Sequence, residues 1–208
     1  VMARYGMAID LHRCLGCHSC TIACKNSNNL PKNVLWNRVL TDGGSYIDTA
    51  SGESPNLHMQ HVPVSCQHCE NPACVKVCPV GATYKDPETG VVRQDYDKCI
   101  GCRMCMAACP YNGVRSFNWE EPKYAVDFAV GDADVPTHRK HVVEKCTFCY
   151  QRINKGETPA CMVLCPGRAR FWGDLDDPNS EVSKLIASRK YKQLLEDRGT
   201  KPSVYYLI

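Results

Sequence analysis

Apolar positions along this chain come in short bursts, none long enough to build a large core alone. Two of them, Val34 to Leu40 and Leu57 to Val64, read as strands. A turn-rich stretch containing Asp42-Gly43-Gly44 and Ser51-Gly52-Glu53-Ser54-Pro55 joins them. In the second burst His58, Gln60 and Val62 alternate with Leu57, Met59 and His61, the period of a half-covered strand, so a hairpin is expected. Val91-Val92-Arg93, after the turn Asp86-Pro87-Glu88-Thr89-Gly90, reads the same way. Nearer the end the spacing changes to that of a helix. Val182, Leu185, Ile186, Leu194 and Leu195 fall on one side of a helix predicted from Asn179 to about Arg198, between Pro178 and Gly199, with its stripe packed on the chain's own core. The tail Val204-Tyr205-Tyr206-Leu207-Ile208 is apolar and short, either a strand added at home or a clasp on a partner.

No apolar run reaches the roughly eighteen residues of a membrane span. Val1 to Asp10 has neither a long apolar segment nor a small-residue cleavage site, so no export signal is expected there. Residues 116 to 140, with Trp119, Tyr124 and Phe128 among charges, read as an insertion covering a site of the chain; contact with a partner is the other reading.

Cysteine changes this picture. The chain has 208 residues and 16 cysteines, in four groups with none left over: Cys14, Cys17, Cys20, Cys24; Cys66, Cys69, Cys74, Cys78; Cys99, Cys102, Cys105, Cys109; and Cys146, Cys149, Cys161, Cys165. The first and third groups have the spacing C-x2-C-x2-C-x3-C by which ferredoxins wrap a [4Fe-4S] cubane. In the second and fourth the middle gap widens to four and eleven residues. Three cysteines two residues apart sit on a loop that curls round a cubane and reaches three irons. The fourth, about one helical turn on, points away and can ligate a neighbour, as in two-cluster ferredoxins. Clusters should therefore come in pairs, and the order tight, loose, tight, loose reads as a duplicated ferredoxin-like unit. Proline follows the fourth cysteine at Pro79, Pro110 and Pro166 and ends a short helix there; after Cys24 stands Lys25 instead.

Strict grouping by fours is not what a disulfide framework requires. Zinc sites use two C-x2-C pairs, or one pair with histidines, and need neither the third cysteine nor the fourth before proline. Because each group already has four thiols, His18 and His68 are read as packing or hydrogen bonding near sulfur, Met104 and Met106 as packing around a cluster, and Tyr84, Tyr111 and Tyr150 as shielding aromatics. The formal charge of +3 counts cysteine as neutral. Sixteen thiolates (about −16) and four oxidised cubane cores (about +8) bring the loaded chain near −5, so the basic balance does not imply nucleic-acid binding. Arg13, Lys98 and Lys145, each just before the first cysteine of a group, either offset that charge or are ordinary surface cations. No phosphate loop, dinucleotide fingerprint or serine elbow is present, so the chain is expected to conduct electrons rather than catalyse.

The expected class is α+β: two interleaved bacterial two-cluster ferredoxin-like modules in pseudo-twofold duplication, with β-hairpin insertions and a C-terminal helix. One module takes residues 1–30 plus 141–178 and the other 62–115; 31–61 and 116–140 are insertions, and 179–208 is the C-terminal helix and tail.

The four cysteine groups resemble one family closely. So do the Ala8-Ile9-Asp10-Leu11 stretch, the run from Cys66 to Cys78-Pro79-Val80-Gly81-Ala82, Lys145-Cys146-Thr147-Phe148-Cys149, and Phe171-Trp172-Gly173-Asp174-Leu175-Asp176-Asp177-Pro178. The chain is similar over nearly its whole length to the four-cluster electron-transfer subunits of the dimethyl sulfoxide reductase family, such as those of polysulfide, arsenate and dimethyl sulfoxide reductases. That resemblance implies a subunit that is not catalytic on its own, passing electrons between a large molybdopterin subunit, with molybdenum or tungsten, and a membrane quinone-reactive subunit or other redox partner. It implies four [4Fe-4S] clusters with crossed ligation: Cys14, Cys17, Cys20 and Cys165; Cys146, Cys149, Cys161 and Cys24; Cys66, Cys69, Cys74 and Cys109; Cys99, Cys102, Cys105 and Cys78. It places the chain peripherally at the plasma membrane, on the extracytoplasmic face by export with the catalytic subunit, the cytoplasm being the alternative. The other functional readings are a soluble polyferredoxin and a hydrogenase- or formate-dehydrogenase-linked carrier.

Overall fold

The computed structural model describes residues 3–43 and 48–208. Val1 and Gly44 lie outside the described residues. Short elements follow one another: β1 (Tyr5–Asp10), α1 (Ser19–Ser27), β2 (Asn37–Asp42), β3 (Ser51–Glu53), β4 (Asn56–His58), β5 (Gln60–Ser65), α2 (Ala73–Lys76), β6 (Thr83–Lys85), β7 (Val92–Gln94), α3 (Met104–Ala107), β8 (Arg115–Phe117), β9 (Val143–Lys145), α4 (Tyr150–Ile153), α5 (Ala160–Val163), β10 (Arg170–Asp174), α6 (Glu181–Ser188), β11 (Tyr191–Lys192) and β12 (Val204–Leu207). This small mixture of helix and strand is α+β.

The largest sheet has the order β10-β1-β12-β11, β1 pairing antiparallel with β10 and parallel with β12. β1 is central and covered on both faces, which is why Gly6 to Asp10 are all buried. With the strand period of two, Met7 and Ile9 join a core containing Trp36, Val91, Phe148 and Tyr206, while Ala8 faces Phe171, Val182 and Leu207 under α6. The apolar tail is thus a strand of this sheet.

Three expectations change in detail. The last helix stops at Ser188, not near Arg198. Ser180 caps its start, its hydroxyl accepting from the Ser183 amide. At its end Ser188 Oγ donates back to Lys184 O at 2.7 Å, and extended Arg189 turns away to pair with buried Asp10. Leu194 therefore packs into the main core, and Leu195 is exposed at a left-handed φ of 49°. The strand expected from Val34 begins at Asn37, because Val34 and Trp36 are buried as loop residues. The burst from Leu57 to Val64 is divided: β4 pairs with β3 while β5 pairs with β2, a change of partner that alternation alone does not record. β5 and β8 run across the expected boundaries at 61/62 and 115/116.

The cysteine loops follow a common local plan. Gly16 and Gly101 have left-handed φ of 68° and 71°. His18 (φ 59°, ψ 3°) and Arg103 (φ 61°, ψ 9°) occupy the same region at the N-caps of α1 and α3. Only glycine fits before Cys102: a Cβ on Gly101 would lie 2.6 Å from His141 O. α2, α3 and α5 stop just before Cys-Pro after four residues each, whereas α1, with Lys25 in place of proline, runs nine residues to Ser27.

Residues 118 to 140 form an ordered cover over α1 and α4. Asp132 accepts from Ser27 Oγ at 2.6 Å and Gln151 Nε2 at 3.0 Å. Buried His138 donates from Nδ1 to Glu144 Oε1 at 2.8 Å and from Nε2 to Asn28 O at 2.9 Å. Burial alone would lower the His138 pKa, but Glu144 and the Asn28 carbonyl outweigh it and raise it. A pKa raised by folding gives stability that is fully present below the unfolded value, about 6.5, and is lost as pH rises through the folded value. Denaturation midpoints measured anaerobically should therefore decline as the pH rises above about 6.5, and His138→Gln should flatten that slope. An unchanged slope would assign it to other groups.

Candidate iron-sulfur sites

All 16 cysteines are free thiols, and three cavities gather twelve of them. The first is lined by Cys24, Cys146, Cys149 and Cys161, with Met7, Trp36, Phe148 and Arg170 in its wall. The second is lined by Cys66, Cys69, Cys74 and Cys109, with Tyr111, Arg115 and Thr200. The third is lined by Cys78, Cys99, Cys102 and Cys105, with Val80, Ile100 and Gln94. In each, three thiols come from one group and the fourth from another group. Of the remaining four, Cys14 lies within electrostatic reach of Cys20 and Cys165, and Cys17 is exposed with its S–H donating to Ser19 Oγ at 3.4 Å.

These donors suit a polynuclear core better than one ion. A single zinc needs thiolates about 2.3 Å from a common point, and among the described residues no three His, Cys, Asp or Glu side chains converge that way. Instead the thiols surround an apolar space. Burial, then the charge of Cys66, pushes the Cys69 and Cys109 thiols up to about 11. Burial, then Cys161, pushes Cys149 up to about 12. Thiols in such a setting keep their protons until a cationic core displaces them, as coordination does outright.

The thiols of the three cavities and of the remaining group adjoin one another. Cys161 feels Cys20 and Cys165, Cys146 feels Cys66, and Cys105 feels Cys74, so each set adjoins the next. Neighbouring residues play the parts their surroundings allow. His68 is fully buried, stacked on Phe148 at 3.7 Å, and accepts from the Val92 amide at 3.2 Å. Burial, then Lys145 and Arg115, holds it well below the usual histidine range and therefore neutral. His18 stands 3.6 Å from Asp48. Met106 packs with Cys74 and Cys105, but Met104 is exposed rather than packed, since it opens α3 on the outer side of its loop. Tyr111 is buried, its hydroxyl 2.7 Å from Thr200 Oγ1 and 4.0 Å from Cys69 Sγ. Tyr150 and Tyr84 flank the Arg93 guanidinium, at 3.4 and 5.9 Å. Of the cations before the groups, only Lys145 is buried; Lys98 is exposed beside Asp95, and Arg13 lies over Phe171. Sequence reasoning missed Arg115 and Arg170, both buried against thiols, each opening the strand that follows a Cys-Pro pair.

A family profile described as a 4Fe-4S dicluster domain matches residues 57–126 and 132–175, and one described as a 4Fe-4S binding domain matches residues 11–27. An iron-sulfur subunit provisionally assigned to a dimethyl sulfoxide reductase in Halobacterium salinarum is 53% identical, over 99% of this chain and 79% of its own length. The chain belongs to this family of reductase iron-sulfur subunits. The iron-sulfur subunit is also 43% identical to a selenate reductase subunit of Mesobacillus selenatarsenatis, over 97% of the chain and 70% of that protein. With the arsenate respiratory reductase iron-sulfur subunit of a Shewanella species it shares 40% identity, over 98% and 96% of the two chains. The iron-sulfur subunit is an electron-transfer protein that binds [4Fe-4S] clusters.

Proposed function

We propose that this iron-sulfur subunit holds four [4Fe-4S] clusters in the crossed sets given above and relays single electrons between a molybdopterin catalytic subunit and a membrane quinone-reactive subunit or other redox partner, without catalysis of its own. The observation that carries the reading is the composition of the three cavities, each with three thiols from one group and one from another. Bound there, the clusters supply one-electron redox capacity. The chain's own residues grip them through thiolate, keep water out with Trp36, Phe148, Tyr111 and Val143, and hold the four sets in single file. The matched left-handed residues of the two tight loops favour the duplicated two-module reading, with residues 1–30 plus 141–178 around one pair and 62–115 around the other.

Both ends of the row carry exposed apolar side chains suited to docking. Leu15, Ile22, Val163 and Leu164 rim the set of Cys14, Cys17, Cys20 and Cys165. Val80, Ile100, Met104 and Trp119 rim the set containing exposed Cys102. Among the described residues no helix is long and apolar enough to cross a membrane. The proposed place is peripheral, at the extracytoplasmic face of the plasma membrane with the catalytic subunit.

Anaerobic purification from the native cell should yield about sixteen irons per chain together with a large subunit containing molybdenum or tungsten. Zinc in place of iron would overturn the cluster reading. Full iron on a chain that elutes alone would favour a soluble polyferredoxin.

A further inference from the structure

One cation is buried at each step of the row. Arg170 is 4% exposed and lines the cavity of Cys24, Cys146, Cys149 and Cys161. Its Nη1 lies 3.7 Å from Cys161 Sγ and 3.3 Å from Met7 Sδ, Nη2 donates to Asn37 Oδ1 at 3.1 Å, and Cys20 of the adjoining set is also a hydrogen-bond partner. Arg115 is 5% exposed and lines the cavity of Cys66, Cys69, Cys74 and Cys109. Its Nη1 reaches Gln94 Oε1 at 3.5 Å, and Gln94 lines the next cavity, that of Cys78, Cys99, Cys102 and Cys105. Arg115 Nη2 is buried with no partner. Between these two, Lys145 is 1% exposed and donates to Cys146 O and Val92 O, which belong to residues walling the first and second cavities or adjoining them.

Among the described residues no carboxylate forms an ion pair with any of the three. A buried charge without a counter-charge costs several kcal/mol, so three such sites in one row ask for an anion between them. Four thiolates around a cubane core of charge about +2 supply a net charge near −2 per site. For Arg115, burial would lower the pKa, but the charges of Cys74 and Cys66 on one side and Cys105 on the other raise it, so it keeps its proton.

We propose that Arg170, Lys145 and Arg115 set the potentials of the relay, each as a fixed cation shared by the two sites it separates. In each hop one site loses one electron and its neighbour gains it; no bond forms or breaks. A cation beside a site stabilises the extra electron there and raises its potential. Shared between two sites, it raises both together, so the hop stays nearly level and can run in either direction. This rests on the ligand sets proposed above.

The test is Arg115→Gln in the full chain with its native partners, followed by potentiometric titration with paramagnetic resonance detection. The expected result is that the two sites flanking Arg115 fall in reduced-to-oxidised ratio at least tenfold at fixed potential, about 59 mV for one electron. The site of Cys14, Cys17, Cys20 and Cys165 stays in place, and Arg115→Lys restores most of the shift. Arg170→Gln should move the opposite pair. Full iron with unmoved potentials, or an equal shift at all four sites, would overturn the proposal. If Arg115→Gln loses iron, Arg115→Lys decides: regained iron with near-native potentials supports a charge role, and loss there too makes Arg115 a structural residue. A native protein without [4Fe-4S] signals would instead sink the ligand sets.

Discussion

Cys109→Ser should extinguish the site of Cys66, Cys69 and Cys74 and spare that of its own group. Cys109 lines the second cavity, whereas Cys99, Cys102 and Cys105 line the third with Cys78. A serine hydroxyl is a harder and poorer ligand for iron than thiolate, so iron should fall from about sixteen to about twelve per chain. The altered resonance spectrum should match that of Cys69→Ser and differ from that of Cys99→Ser. A spectrum matching Cys99→Ser would defeat the crossed arrangement. In the proposed single file, losing an interior set breaks the relay, and partner-linked turnover should drop by at least about 100-fold, the upper end of what altered metal surroundings cost.

Asp10→Ala should cost about 3 kcal/mol, the low end for breaking a buried ion pair. The carboxylate is 2% exposed at the end of the central strand and receives Arg189, the His12 amide at 2.9 Å and the Arg13 amide at 3.3 Å. It thereby fixes the turn that leads into Cys14. Arg189 is about one-third exposed and can rehydrate when orphaned, which keeps the loss at that lower end. Anaerobic thermal unfolding should shift down by about 6 to 12 °C for a chain of this size. Burial alone would raise the Asp10 pKa, yet Arg189 and the two amides lower it. A depressed folded value means stability present above the unfolded pKa, about 3.9, and lost as pH falls through the folded one. The difference between native and Asp10→Ala should therefore shrink on acidification; a constant difference would show that the charge is not what matters.

Chemistry was more legible in this sequence than architecture. Cysteine spacing is a local code, so the [4Fe-4S] clusters and the family followed from residues such as Cys14 to Cys24 read alone. Proline after the fourth cysteine likewise foretold where α2, α3 and α5 stop, whereas the run of α1 on to Ser27 past Lys25 was not read from the sequence. Long-range pairing was not legible. Alternation through Met59 could not reveal that β4 and β5 have different partners, and helical spacing of Leu194 with Leu185 could not reveal that Ser188 and Arg189 turn the chain away for the sake of Asp10. Arg115 and Arg170 were invisible because an arginine opening a strand reads as a surface residue. Only the thiols of distant segments make their burial sensible.

The place of β12 beside β1, and of Cys165 beside Cys14, has a consequence for how the cell makes this protein. A ribosome adding about 5 to 20 residues each second needs on the order of ten seconds to travel from the first of those cysteines to the other. The earliest thiols to emerge are thus among the last to find their full company, and until then they stand open to oxygen and to stray metal. Assembly machinery that delivers iron and sulfide to that end must wait until both segments have emerged.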